Sequence, residues 1–192
     1  MNDQELQKAI TDMRGYIERD VAAGFRDEEE ITTSVVDMLS DEYDSDELRP
    51  YAEKLTRGEV RAHLQRQATW PAITDSELER TGIVARQDFS CCGNCGSVEI
   101  RDEMQEVSRT GQRVRGYTFY HKQDTENAIQ GHGVYLGYGA VLEGESAALE
   151  IAREIARTLQ RNELAVEWDG SFRTRIFVKM DWKRRRQPDQ TA

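Results

Sequence analysis

ESAALEIAREIARTLQRNELAVEWDGSFRTRIFV, residues 145–178, changes its hydrophobic period halfway along and thereby decides the fold class. Ala148, Ile151, Ala152, Ile155 and Leu159 form the apolar stripe of an amphipathic helix, and Asn162 suits the left-handed position past its end. Beyond it Leu164, Val166 and Trp168 alternate with polar residues, as do Phe172, Thr174, Ile176 and Val178, which is the period of strands. Asp169-Gly170 between the two runs predicts a β-hairpin. A two-residue loop would set Val166 against Arg173, whereas a three-residue loop with Gly170 left-handed sets Val166 against Thr174, the register expected here. The helical stripe then needs an apolar sheet face, which predicts one core for Ile155, Trp168, Phe172 and Ile176.

Upstream, IVARQDF (83–89), RGYTFYH (115–121) and GVYLGYGAV (133–141) are rich in aromatic and β-branched residues and bounded by glycine or polar turns, so each predicts a strand. Between the first two, Ile100, Met104 and Val107 share a helical face that Gly111 closes. Gly137 and Gly139 inside the third run read as a bulge or a close backbone contact rather than as a phosphate cradle. Gly131-His132-Gly133 likewise lacks the strand, glycine loop and helix order of a phosphate site.

The first part of the chain is helical. Leu6, Ile10, Met13, Ile17 and Val21 predict a helix capped by Asn2 and Glu5 and stopped by Gly24. Asp27 with Glu30 starts a second, carried by Ile31, Val35, Met38 and Leu39, and the two form an antiparallel pair. Asp41 to Glu47 reads as a solvated acidic loop that holds no ion. After Pro50, Tyr51, Leu55, Val60 and Leu64 predict helix to about Gln67, weakened at Gly58 with a restart at Thr56. Thr74 with Glu77 caps a short helix ended by Gly82.

The expected architecture is α+β: a helical region over residues 1–80 packed on a region over 81–186 as one cooperative unit, with a tail over 187–192. The second region carries a mixed or antiparallel sheet with helices and a C-terminal β-hairpin. At 192 residues and 38% hydrophobic content the chain encloses a core without needing disulfides. A formal charge of −10 repels phosphate backbones and anionic membranes, so neither nucleic acid nor membrane is an expected partner, and the basic run Lys183 to Arg186 reads as a solvated tail. No apolar stretch reaches the roughly 20 residues of a membrane span, and the N-terminus is polar. Three cysteines within Cys91 to Cys95 have nothing distant to pair with, which points to a reducing cytoplasm.

Phe89-Ser90-Cys91-Cys92-Gly93-Asn94-Cys95-Gly96 joins a strand to a helix N-terminus, where N–H groups and the helix dipole favour a thiolate. Cys92 and Cys95 have the spacing that puts two sulfurs on one face. Three readings stand: buried packing of small apolar thiols, the leading one; a zinc site completed by a fourth ligand such as His121 or His132; and a thiol-disulfide pair. No cofactor is required, and zinc is the one left open. A second polar stretch, His121 to Glu126 with His132 nearby, offers Asp124, Glu126 and His132 as acid-base or cation-binding groups. Its simpler reading is that Asp124 or Thr125 caps a short helix running to Gln130. There is no G-x-S-x-G elbow and no H-E-x-x-H helix.

QATWPAITDSELERTGIVARQDFSCCGNCGSVEI, GYTFYHKQDTENAIQGHGVYLGYG, EWDG and FVKMDW together resemble a family of bacterial proteins defined only as a domain of unknown function, over most of the chain. Phe89 with Cys91, Cys92 and Cys95, and Tyr120-His121 with Gln123 to Glu126, carry the resemblance. It implies these two segments as places to look and transfers no activity, cofactor or residue role. The function expected is that of a non-enzymatic binding or interaction protein, with a protein partner or a second copy left open; the alternative is a metal-binding or thiol-redox protein using the cysteine cluster.

Overall fold

A computed structural model describes residues 3–65 and 75–182, which fall into two compact units. The expected caps at Asn2 and Thr74 and the basic tail lie outside the described residues.

The first unit is three helices, α1 (Asp3–Ala23), α2 (Glu28–Leu39) and α3 (Ser45–Gln65). Met13, Ile17 and Val21 of α1 meet Ile31, Val35 and Leu39 of α2 and Leu48, Ala52 and Val60 of α3 in one core. Each large side chain so buried contributes about 1.5–3 kcal/mol. The expected capping box at α2 is present: Asp27 Oδ1 accepts the Glu30 N–H and Glu30 Oε2 accepts the Asp27 N–H, each at 2.8 Å. The loop expected over Asp41 to Glu47 is shorter, because Asp44 Oδ1 accepts the N–H groups of Asp46 and Glu47 and starts α3 there. Pro50 sits in the second turn of that helix, where it forfeits a single bond, and neither it nor Gly58 breaks the element.

The second unit is α+β. It runs α4 (Asp75–Arg80), β1 (Ile83–Arg86), α5 (Gly93–Arg109), β2 (Gly116–Phe119), α6 (Lys122–Ile129), β3 (Val134–Ala140), α7 (Glu145–Arg161), β4 (Ala165–Glu167) and β5 (Ile176–Lys179). The sheet order is β1-β2-β3-β5-β4, with β1 and β2 parallel and the other pairs antiparallel. Helix α4 packs on β1. Alternation along β2 sends Tyr117 and Phe119 to one face, where they join Val84, Ile100, Met104 and Val107 beneath α5. Gly116 points the other way, and a Cβ there would stand 2.8 Å from Ile151 of α7, so the two helices cover opposite faces. Gly137 and Gly139 of β3 lie opposite Phe119 and Tyr117 and leave room for both rings; a Cβ on Gly139 would stand 2.6 Å from the Tyr117 ring.

Helix α7 buries Ile151, Ala152, Ile155 and Leu159 as its stripe requires. Its end differs from expectation: Asn162 is not left-handed (φ −91°), and Glu163 takes that position at φ 63°. Leu164 N–H bonds the Leu159 carbonyl and Glu163 N–H the Gln160 carbonyl, a Schellman closure one residue later. The Asn162 side chain is occupied instead in donating to Glu77 and to the Thr158 carbonyl.

The hairpin register also differs. Val166 pairs with Val178 rather than Thr174, so the connection runs from Trp168 to Arg175. Gly170 is left-handed as expected (φ 77°), but polar bonds fold the connection into a loop of its own. Asp169 Oδ1 accepts from the Ser171 N–H and the Thr174 hydroxyl, and the Tyr138 hydroxyl lies 3.1 Å from the carbonyls of Ser171 and Thr174. Phe172 is therefore 47% exposed and outside the core that holds Ile155 and Ile176, and Trp168 is half-buried edge-on to Tyr138.

Candidate functional site

The parallel strands β1 and β2 end side by side, and the chain leaving β1 crosses the start of α6 before entering α5. That crossing, Gln87 to Cys92, is tied down at successive residues. Thr125 Oγ1 donates to Asp88 Oδ1 at 2.7 Å, Phe89 N–H to the Tyr120 carbonyl at 2.9 Å and Lys122 N–H to the Ser90 carbonyl at 3.2 Å. Phe89 packs edge-on to Phe119, ring centroids 5.8 Å apart. Asp88 (φ 51°) and Ser90 (φ 62°) are left-handed without being glycine. Such residues cost about 1 kcal/mol or more each and persist only where their surroundings over-determine them. The Ser90 hydroxyl is also buried without a hydrogen-bond partner.

The strained loop delivers three sulfurs to the start of α5. Cys91, Cys92 and Cys95 place their Sγ atoms within 4.8 Å of one another, and theirs is the one group of metal-capable side chains so gathered among the described residues. Cys91 is exposed and the other two are half-buried, so none of the three is enclosed to the degree the packed reading expects. Cys92 occupies the N-cap position without the hydrogen-bonded cap that a serine or aspartate makes. Its sulfur nonetheless faces the Cys95 N–H, the Cys95 thiol, the Asn94 N–H and the Cys91 thiol, in decreasing order of effect, and these hold its thiol below the usual range. Sharing the site with Cys91 and Cys92 pushes Cys95 up to about 11. Of Cys92 and Cys95, Cys92 is the readier to lose its proton.

His121 sits beside this group. A Cβ on Gly93, the first residue of α5, would lie 3.5 Å from His121 Nε2. The imidazole is committed elsewhere. His121, not Asp124 or Thr125, is the N-cap of α6, which begins earlier than expected: its Nδ1 accepts the Asp124 N–H at 3.3 Å, while its own N–H donates to Asp124 Oδ2. With Nδ1 accepting, the neutral ring carries its proton on Nε2, 3.0 Å from Asp124 Oδ2. Arg175 Nη1 reaches both Asp124 oxygens, at 3.0 and 3.2 Å, and lies over the Tyr135 ring. Burial lowers the His121 pKa, Asp124 opposes that shift, and Arg175 adds to it. Both ring nitrogens are thus engaged, and His121 does not join the sulfur group.

Of the other polar candidates Asp124 is buried beside His121 and held from the surface by the exposed Arg175, whereas Glu126 and His132 are exposed. The residues that sequence reasoning missed are Asp88 and Ser90, which hold the loop, and Arg175. Arg175 carried no signal because the alternation around it read as strand; Asp88 carried none because it lies within the run 83–89 that read as strand, whereas β1 ends at Arg86 and Asp88 takes a left-handed turn.

The chain belongs to the family described as a domain of unknown function (DUF6891), whose model matches residues 6–186. No curated protein and no solved structure matches it.

Proposed function

We propose that the protein binds a thiophilic d10 cation, zinc in the first instance, through Cys91, Cys92 and Cys95. The observation that carries this reading is the convergence of three accessible sulfurs within 4.8 Å on a loop held in strained geometry. Thiolate sulfurs bind zinc at about 2.3 Å, so tetrahedral ligands stand about 3.8 Å apart, and side-chain rotation from the present spacing suffices. Three protein donors leave a fourth position to solvent or an incoming ligand, the arrangement of an open site rather than a closed structural one. The N–H groups at the head of α5 stabilise the anionic sulfur that binding requires. Three unpaired thiols suit a reducing compartment, and a net charge of −10 suits a cation ligand better than a polyanion.

Elemental analysis of untagged protein, followed by zinc titration against a chromophoric chelator, tests it. One equivalent per chain is expected, lost on replacing any of the three cysteines by serine. Absence of saturable binding in reduced protein refutes the reading.

The opposed shifts of Cys92 and Cys95 favour one other reading, a thiol-disulfide pair in which the Cys92 thiolate attacks a disulfide oxidant and Cys95 displaces the mixed disulfide, the substrate leaving as two thiols. A Cys92–Cys95 disulfide that forms and is reduced reversibly, in protein that binds no zinc, selects it.

A further inference from the structure

We infer that the start of α6 is a clasp that holds the cysteine loop in its ligand-ready shape, with the Thr125 hydroxyl as the positioning group; this rests on the metal-binding reading. The two anchors fall on the two strained residues themselves. Asp88 is gripped through its carboxylate by Thr125, Ser90 through its carbonyl by the Lys122 N–H, and Phe89 between them donates to Tyr120. Cys91 follows directly, so the direction in which the chain leaves Ser90 sets where the sulfurs converge.

The anchor is rigid. Thr125 is 2% exposed and stands one residue past Asp124, which closes the His121 capping box and is gripped from outside by Arg175. His121, Asp124 and Arg175 thereby fix the first turn of α6, and the Thr125 hydroxyl passes that order to a loop that left-handed backbone alone would not keep. None of these groups touches the ion. They act on it through the position of its ligands, as hydrogen-bonded partners behind metal ligands do.

Zinc titration of reduced protein compares Thr125→Val, which keeps shape and loses the hydroxyl, with Thr125→Ser, which keeps the hydroxyl and loses a methyl. Thr125→Val is expected to raise the zinc dissociation constant about tenfold or more. Thr125→Ser is expected to bind like the native chain, as a merely structural role for the methyl would not allow. Equal affinity in all three, or equal weakening in both variants, overturns the clasp. Should Thr125→Val fail to fold, Asp88→Ala and Asp88→Asn repeat the test, since asparagine keeps an acceptor and tolerates the left-handed backbone. If the native chain binds no zinc, the metal reading falls and the clasp is read separately, from the alkylation rate of the reduced thiols: a changed rate in Thr125→Val restored in Thr125→Ser supports it, and an unchanged rate overturns it.

Discussion

Replacing Asp124 by alanine should destabilise the second unit by about 3 kcal/mol, a figure built from what its carboxylate holds. The group is 1% exposed and receives the His121 N–H at 3.2 Å, the His121 ring at 3.0 Å and Arg175 Nη1 at 3.0 Å. Arg175 is 44% exposed on its side chain, so losing its partner lets it hydrate and costs at most about 1 kcal/mol. The two His121 donors have no such escape, because that residue is buried. Leaving them unpaired, the backbone one being the lost half of the capping box, costs about 2 kcal/mol between them after relaxation. A domain of this size shifts its melting temperature by about 4 °C for each kcal/mol, so a fall of about 10 °C is expected by calorimetry. Asp124→Asn, which retains one acceptor oxygen, should fall by less. A transition within about 2 °C of the native one would refute the reasoning, since it would show that the buried carboxylate holds nothing in place.

Ile155→Asp puts a charge at a fully buried position of α7 and should cost at least about 4 kcal/mol, read as loss of the second unit's cooperative transition in urea; an unchanged midpoint refutes the α7 core. Gly96→Ala sets a Cβ 2.5 Å from the Phe119 ring and should destabilise by about 1–3 kcal/mol in the same assay, where a neutral result would show that α5 can lift off the sheet. His121, its pKa lowered by burial, binds its proton less readily folded than unfolded, so its stabilisation is complete above the unfolded value near 6.5 and is lost as pH falls below it. Urea midpoints between pH 7.5 and 5.5 should therefore decline toward acid, less steeply in His121→Gln, and an equal slope in the two proteins would contradict the assignment.

Periodic elements were legible in the sequence because their signal is repeated at every turn. The α7 stripe and the run of aromatic and β-branched residues in β2 and β3 each state one answer several times over, and the α+β class follows from them. What failed was decided by single contacts. Matched faces favour one β4–β5 register, yet Asp169, Ser171, Thr174 and Tyr138 bond into a loop that consumes the first half of the second run, an arrangement that depends on a hydroxyl 33 residues away from Ser171. Asn162 has the intrinsic preference for the left-handed position, but Glu77 occupies its side chain from another helix. At the site, the spacing of Cys92 and Cys95 was readable and their exposure was not. His121 looked like a fourth ligand because sequence cannot show that Asp124 takes both of its nitrogens.

Over most of the second unit the chain chooses what stability alone would choose: glycine where rings crowd and a hydrophobic stripe where a sheet waits. Between Asp88 and Cys92 it does the opposite, with two non-glycine left-handed residues, a buried hydroxyl left unpartnered and a helix N-cap given to cysteine. A serine or aspartate at position 92 would cap α5 for about 1 kcal/mol, and glycine at position 90 would relieve about as much strain. The segment forgoes both gains at adjoining positions, and what it obtains in exchange is three sulfurs brought together at a surface. Local rules broken together, in one place and around one chemistry, are the ground on which the metal-binding proposal rests.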